Sequence, residues 1–323
     1  MNISVSGANL IRRTASLAVH PTLTLHSLEG EYDGPPLRLL VADDGSTLSY
    51  IQNLAFPEGK ASVSRQGTIS AFKAPCLIES EADVVVVGAN CLLFRRYKDR
   101  GFYLVPKWVR LFLPVQEEPY ARLYAHGRQT RKYFKWMLKK VNDAGFQCEI
   151  TNDVSWFDRF YFDMYLPYAF NRYGELAIVH SYQKVRKAFL KGSGVVAMKD
   201  GKPVAGSIIF REGNTMRIPH AGVVEGGLES VKEGAAFALD YYVAQMAHSS
   251  GCKAIDFGHS RPFLSDGALR YKLNWRMDVV DDADAVSFLA IAAPRRTEQA
   301  AKFLSANMFY HLNKSGVDLC DEW

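Results

Sequence analysis

The chain has 323 residues, of which 48% are hydrophobic and 23% are charged, and its formal net charge is +5. This length and composition indicate a globular protein with a large core, and they favour two domains or lobes over one small domain. The five cysteines are widely spaced and form no C-x-x-C pair, so the sequence indicates neither a disulfide framework nor a zinc site.

The sequence also favours a cytoplasmic protein without a transmembrane segment. Residues 1–20 lack the charged start and continuous apolar core that a secretory signal would have. No stretch approaches the roughly 20 apolar residues of a membrane span. An odd number of cysteines without a paired pattern fits a reducing compartment.

The first half of the chain is predicted to form a mixed lobe of strands and helices. Short apolar runs bounded by turn residues predict strands at residues 37–42, 84–87, 102–105 and 109–115. A hairpin is expected around Arg100 and Gly101. Basic residues, Arg122 among them, are concentrated between residues 95 and 140. Such a field would attract anionic molecules or nucleic acid, although an ordinary solvated surface has the same composition.

The second half is predicted to begin with an aromatic-rich helix that follows Asp153 and is capped by Ser155. A shorter helix and an antiparallel meander come next. The D-G and G-N turns of that meander predict strands at residues 194–199, 203–211 and 215–221. An apolar stripe at helical spacing then predicts a helix over residues 235–250, and a short buried strand follows it.

The segment before that helix is rich in glycine. Gly226, Gly227 and Gly234 surround Ser230 and Lys232, so the backbone can approach a ligand and point its N–H groups outward. Together with the dipole of the following helix, these groups suit a phosphate or a carboxylate. Ordinary loop glycines ahead of a core helix would give the same pattern.

Two groups of residues resemble a known family. The first group contains, in chain order, residues 229–234, the helix, the triplet Asp256-Phe257-Gly258 and the segment Tyr271-Lys272-Leu273-Asn274-Trp275. This order resembles the C-terminal half of FemAB-like acyltransferases, which have the GNAT-like acyl-CoA N-acyltransferase fold. The basic helix that opens at residue 128, with its glycine-containing end at residues 142–146, resembles a second part of that family. Together the matches cover roughly residues 125–280, about half of the chain.

The resemblance implies an α/β fold with two GNAT-like lobes, each a mixed, mostly antiparallel sheet flanked by helices. We place these lobes at residues 1–152 and 153–323, with the donor site in the second. The implied function is that of a bacterial N-acyltransferase, which moves an acyl group from acyl-CoA or a similar thioester to an amine. An amino sugar or cell-envelope precursor is the implied acceptor class. The CoA thioester would be a substrate, with no covalently bound cofactor and no metal.

The donor would contact Gly226, Gly227, Ser230, Lys232 and Gly234, and the N–H groups of a separated strand at residues 218–223 would bind the oxyanion.

The candidate catalytic residues are Lys272, Asp256 and His220. The resemblance gives Lys272 an electrostatic contact to the acceptor or oxyanion, although a lysine extending from a strand end is an alternative. Asp256 lies in an apolar strand and must be paired or solvent-facing, with Lys272 or Arg270 as partner. His220 is a candidate base or else a structural histidine.

Departures from the family pattern leave two alternatives open. Arg276 follows Trp275 where many relatives have glycine, and no long heptad-patterned helical arm is visible. The missing arm disfavours an aminoacyl-tRNA-dependent peptidoglycan-type aminoacyltransferase, which is the first alternative and the one that would bind nucleic acid. The second alternative is a non-catalytic binding protein on the same fold. The oligomeric state does not follow from the sequence.

Overall fold

A computed structural model describes residues 22–45, 47–57, 59, 61–115, 128–282, 286–313 and 316–320 of the chain. Two predictions lie outside these ranges: the lack of an export signal in residues 1–20, and the contribution of Arg122 to the basic region.

Strands and helices alternate along the described chain. The strands are β1 (Thr22–Glu31), β2 (Pro36–Asp43), β3 (Ala61–Ser70), β4 (Val84–Asn90), β5 (Tyr103–Pro106), β6 (Val109–Pro114), β7 (Gln147–Thr151), β8 (Ser193–Lys199), β9 (Lys202–Glu212), β10 (Thr215–Val223), β11 (Ala254–Ser260), β12 (Asp278–Asp281), β13 (Ser287–Ala292), β14 (Phe309–Leu312) and β15 (Val317–Cys320). The helices are α1 (Leu48–Ala55), α2 (Phe94–Lys98), α3 (Arg128–Asp143), α4 (Val154–Arg159), α5 (Leu166–Tyr173), α6 (Tyr182–Phe189), α7 (Leu228–Glu233), α8 (Ala235–Ser249), α9 (Gly267–Asn274) and α10 (Glu298–Ala306).

The strands form two large mixed sheets and one small hairpin. One large sheet has the order β3-β1-β2-β4-β13-β5, the other has the order β12-β6-β11-β10-β9-β8-β7, and β14 pairs with β15. Most neighbours are antiparallel, whereas β2 with β4 and β10 with β11 are parallel. The predicted fold class, α/β with two lobes built on mixed sheets with flanking helices, is therefore confirmed.

The chain divides into two compact units, each built from segments that are separated in the sequence. The first unit contains Met1–Val109, His259–Arg270 and Val279–Trp323, and the second contains Arg110–Gly258 and Tyr271–Asp278. This division differs from the boundary that we placed between residues 152 and 153, because the end of the chain returns to the first unit. Turn and composition signals are local, and they carry no information about such a return.

In the first unit, the central strands β4 and β13 are buried on both faces. Val84 and Val86 of β4 pack with Leu289 and Ile291 of β13 on one face, and the alternate residues of both strands pack on the other. Near-continuous apolar sequence is what a strand covered on two sides requires. The predictions at residues 37–42, 84–87 and 102–105 are confirmed as β2, β4 and β5.

In the second unit, the meander β8-β9-β10 forms as predicted from its turns. Asp200 and Gly201 both have positive φ in the first turn, which is the conformation that a short D-G hairpin needs. A helical segment with π-type hydrogen bonding at Phe160–Tyr165 follows α4 and packs over β9 and β10. A Cβ on Gly222 would lie 2.5 Å from the Met164 backbone, so the absence of a side chain allows this close approach.

Three local predictions are corrected. The residue that caps α4 is Asp153, whose carboxylate accepts from the Ser155 N–H at 2.8 Å, rather than Ser155 itself. Arg100 and Gly101 form the turn after α2 instead of a hairpin. Lys272 lies within helix α9 and not at a strand end.

Candidate functional site

Strands β10 and β11 of the second unit separate soon after they begin to pair. Their parallel pairing covers only Thr215–Arg217 opposite Ala254–Asp256. Beyond Arg217, strand β10 shifts its register against β9 before His220, and Pro219 lies inside the shift. Proline lacks an N–H group and fits such an irregularity. The strand separation that we expected at residues 218–223 is therefore present, whereas oxyanion binding there stays a prediction.

The glycine-rich segment is more regular than the open loop that we expected. A short 3-10 turn at Val224–Gly226 leads into helix α7, and Gly234 joins α7 to α8 with a φ of 111°. Gly226 has a φ of 65°, and a Cβ there would lie 2.4 Å from Asn171 Nδ2. That amide group donates to the Glu225 carbonyl at 3.2 Å. Close packing against α5 thus explains why residue 226 is glycine.

Several N–H groups of this segment already donate hydrogen bonds to carbonyl groups of the chain. The Gly227 N–H donates to the Val224 carbonyl at 3.0 Å, and the Gly234 N–H donates to the Ser230 carbonyl at 3.2 Å. Lys232 is exposed, and its ammonium group lies 2.7 Å from the Glu229 carboxylate. Donor binding by these residues stays a prediction, and it would require the N–H groups or Lys232 to change partners.

Asp256 is held by two arginines. Its carboxylate is 5% exposed and accepts from Arg110, whose Nε lies 3.1 Å from Oδ2 and whose Nη2 also contacts Oδ2. Arg217 Nε lies 3.6 Å from the same oxygen, and the Gly258 N–H donates to Oδ1 at 2.9 Å. The expected partner, Lys272 or Arg270, was therefore wrong. This geometry is that of a structural ion pair.

His220 lies in an aromatic environment on β10. It is buried, and its ring centroid is 5.3 Å from those of Tyr165 and His180. Burial lowers the pKa of His220 to about 4, and the nearby His180 and Lys184 add to the effect. His220 is consequently neutral at physiological pH and a weak base, so the geometry favours the structural alternative. Its catalytic role stays a prediction.

A cluster that the sequence analysis missed surrounds Lys272. Tyr271 Oη donates to Asp240 Oδ2 at 2.6 Å, which joins α9 to α8. Burial raises the pKa of Asp240 to about 7, although the Tyr271 hydrogen bond and the Lys272 charge act in the opposite direction. Lys272 Nζ donates to the Gly258 carbonyl at 3.5 Å. The available sequence signal was an aspartate among the apolar and aromatic residues of the first ten positions of α8.

Several basic residues of the region 95–140 have acidic or carbonyl partners. Arg110 is paired with Asp256, Lys139 with Asp143, and Lys140 donates to the Lys232 carbonyl. These contacts reduce the charge that the region presents, and they give no support to the nucleic-acid interpretation.

An open depression of about 540 Å³ lies over α6, and none of the candidate residues above lines it. Its lining residues are Tyr182, Gln183, Arg186, Lys187, Leu190 and Lys191. Within the described ranges, no three His, Cys, Asp or Glu side chains are grouped so that they could hold a metal ion. The described helices include none that is long and apolar enough to cross a membrane.

Comparison with known proteins gives similarity to solved structures alone. No family model and no curated protein matches the chain. FemX is 11% identical with a TM-score of 0.43, and the alignment covers 86% of this chain and 90% of that one. L-PGS from Bacillus licheniformis is 11% identical with a TM-score of 0.38 over 83% and 81% of the two chains.

A GCN5-related N-acetyltransferase from Sphaerobacter thermophilus is 12% identical with a TM-score of 0.36, over 80% of this chain and 73% of that one. The structures to which the chain is similar thus include Fem-type and GNAT-type proteins, the group that the sequence patterns resemble. Overlap at these scores is loose, and any function proposed for the chain must depend on its own residues.

Proposed function

We propose that this chain is an N-acyltransferase that moves an acyl group from acyl-CoA, or a similar thioester, to an amine. The observation that carries the proposal is the Asp240–Tyr271–Lys272 cluster of the second unit. Asp240 lies on α8, the helix that connects β10 with β11, and these two strands separate after three paired residues.

The cluster supplies what aminolysis of a thioester requires. An acceptor amine arrives as an ammonium ion and must lose a proton before it attacks, and a base with a pKa near the working pH removes that proton most effectively. Asp240, with a pKa of about 7, meets this condition. The Lys272 ammonium group would stabilise the oxyanion that forms when the amine adds to the carbonyl. Collapse of that oxyanion would break the carbon–sulfur bond and release the thiolate of coenzyme A, which would take up the proton that Asp240 had removed. Tyr271 positions the Asp240 carboxylate through its hydrogen bond.

The acceptor is proposed to be an amino sugar or a cell-envelope precursor, as the sequence resemblance implies. The donor is proposed to lie along the segment from Gly226 to Gly234, with its pyrophosphate near the N-terminus of α8. A cytoplasmic, bacterial enzyme would have access to both substrates.

The direct test measures turnover of acetyl-CoA with a panel of amines as a function of pH. We expect Asp240→Asn to lower kcat/KM by roughly 100-fold or more and to remove an ionisation near pH 7 from the profile. The matched control is Asp158→Asn, because Asp158 also accepts from a tyrosine, Tyr182, at 2.5 Å but lies on the surface. Full activity in Asp240→Asn would exclude Asp240 as the base.

Calorimetric titration with coenzyme A tests the donor separately. Micromolar binding that Lys232→Glu abolishes would support the proposed donor segment. Unchanged affinity in that variant would place the donor elsewhere, and an absence of binding would contradict a CoA thioester donor.

A non-catalytic binding protein is the second candidate. The observation that favours it is the use of the Gly227 and Gly234 N–H groups within the chain. Saturable binding of an amine from the panel, without turnover of acetyl-CoA, would support it.

A further inference from the structure

Arg261 of the first unit lies between two aromatic rings. Its guanidinium carbon is 4.0 Å from the centroid of the Trp108 ring and 4.4 Å from that of Tyr50. Arg261 directly follows β11, Tyr50 lies on α1, and Trp108 lies between β5 and β6. Three separate parts of the chain thus come together around one guanidinium group, and all three belong to the first unit.

The Arg261 guanidinium group has no acidic partner in the described part of the chain. It makes no hydrogen bond there and no ion pair within 4.0 Å, and Asp266 acts on it only through longer-range electrostatics. Burial lowers the pKa of Arg261, which shows that its surroundings disfavour the charge. Arg261 is half-buried, and the hydration that a charge loses on burial is ordinarily replaced by a countercharge or a hydrogen-bond acceptor.

The hydroxyl group of Tyr50 is a second donor without a partner. Its oxygen is buried and has no hydrogen-bond partner among the residues that the structure describes. Its pKa is raised by burial and, to a lesser extent, by Asp266, whereas the positive charge of Arg261 has the opposite effect. An anionic acceptor in this place would compensate Arg261 and could also accept from Tyr50.

We propose that Arg261, held between Tyr50 and Trp108, binds the oxyanion group, a carboxylate or a phosphate, of a small ligand. Contacts with two rings restrict the motion of the guanidinium group, and no group of the described chain accepts a hydrogen bond from its N–H groups. Those groups match the paired oxygens of a carboxylate or phosphate in a bidentate arrangement. The proposal does not depend on acyl transfer, since none of its residues belongs to the Asp240 cluster.

The test is an NMR titration of the full ¹⁵N-labelled chain with sodium phosphate and with sodium acetate, at constant ionic strength set by sodium chloride. The reporters are the Trp108 indole N–H, assigned with Trp108→Phe, and the Arg261 Nε–H, assigned with Arg261→Lys. We expect saturable shifts of both resonances. Saturation with phosphate alone identifies a phosphate ligand, and saturation with acetate alone identifies a carboxylate.

Variants separate binding from ring packing. Arg261→Met should abolish the anion-dependent shift of the Trp108 indole resonance. Arg261→Lys should lower the affinity for the anion roughly tenfold, because lysine lacks the paired donors. The matched control is Arg172→Met, because Arg172 also lies over two rings, those of Tyr168 and Tyr173. That variant should leave the titration unchanged.

Linear, non-saturating shifts would overturn the proposal and leave Arg261 as a packing residue. An equal response in Arg261→Met would also overturn it. If Arg261→Met fails to fold, the affinity of Arg261→Lys decides the question, and an affinity equal to that of the unaltered chain would contradict bidentate binding.

Discussion

Three ionisable residues of the second unit, two of them buried and one half-buried, are accommodated in different ways. Asp256 forms ion pairs with two arginines, Arg110 and Arg217. Burial raises the pKa of Asp240, which favours its protonated form, and lowers the pKa of His220, which favours the neutral ring. Desolvation penalises the charged form of a buried group, and a countercharge or a hydrogen bond offsets that penalty. For Asp240 and His220, desolvation is the largest cause of the shift in pKa.

The displaced pKa of His220 predicts acid sensitivity. The folded-state pKa of about 4 lies below the reference value of 6.5, so the unfolded chain binds a proton at His220 that the folded chain does not. This contribution to stability is complete above pH 6.5 and is lost as the pH falls toward 4. At pH 5 the loss is about 2 kcal/mol.

Urea unfolding at pH 7.5 and pH 5 measures this effect. Both proteins are expected to be less stable at pH 5 than at pH 7.5. We expect this loss in the free energy of unfolding to be about 2 kcal/mol smaller for His220→Gln than for the unaltered chain. His180, whose pKa burial also lowers, contacts the His220 ring, so the same comparison in a His180→Gln background isolates the contribution of His220. Parallel losses of stability in the two proteins would show that folded His220 titrates normally.

At the scale of elements, the connection between β10 and α8 contains a glycine, Gly226, at a position where a side chain would be strained and crowded. Gly226 combines a positive φ with close contact to Asn171 and to the Pro167 carbonyl. Gly213, in the turn between β9 and β10, has a similar φ of 59°, but a Cβ there would meet no atom within 4 Å. A substitution at Gly213 therefore introduces backbone strain alone, whereas one at Gly226 introduces both strain and steric overlap.

This comparison predicts different costs for the same substitution. Gly213→Ala should lower the free energy of unfolding by about 1 kcal/mol, the cost of a left-handed backbone with a Cβ. Gly226→Ala adds the overlap with α5 and should cost about 2–4 kcal/mol. Chemical unfolding of both variants at pH 7 measures the difference. Equal costs would mean that α5 moves aside without penalty.

Elements whose signals are local were predictable, whereas pairings between distant segments were not. The meander from β8 to β10 follows from its turn residues, and helix α8 follows from its apolar stripe. The partners of Asp256 did not follow, because Arg110 is far from it in sequence and only the neighbouring β6 brings the two together. The Asp240–Tyr271 contact likewise joins two helices, and neither side chain carries a local signal of it.

At the scale of the whole molecule, the chain returns to its first unit after completing most of the second. Strand β13 lies between β4 and β5 and hydrogen-bonds to both. Phe303 and Leu304 of α10 are buried in the same core. The first unit therefore consists of segments that are distant in sequence, and β13 is the last strand of its six-stranded sheet to be synthesised.

This topology predicts that residues 1–152 cannot fold alone. Without β13, strands β4 and β5 would each lose a neighbour, and a core that contains Leu289, Ile291 and Phe303 would be incomplete. We expect such a fragment to show no cooperative thermal unfolding by circular dichroism. The matched control joins residues 1–109 to 259–323 through a Gly/Ser linker of about 15 residues, which spans roughly 20 Å. It keeps every segment of the first unit and should unfold cooperatively. Cooperative unfolding of the 1–152 fragment would show that β13 is dispensable and would support the boundary after residue 152.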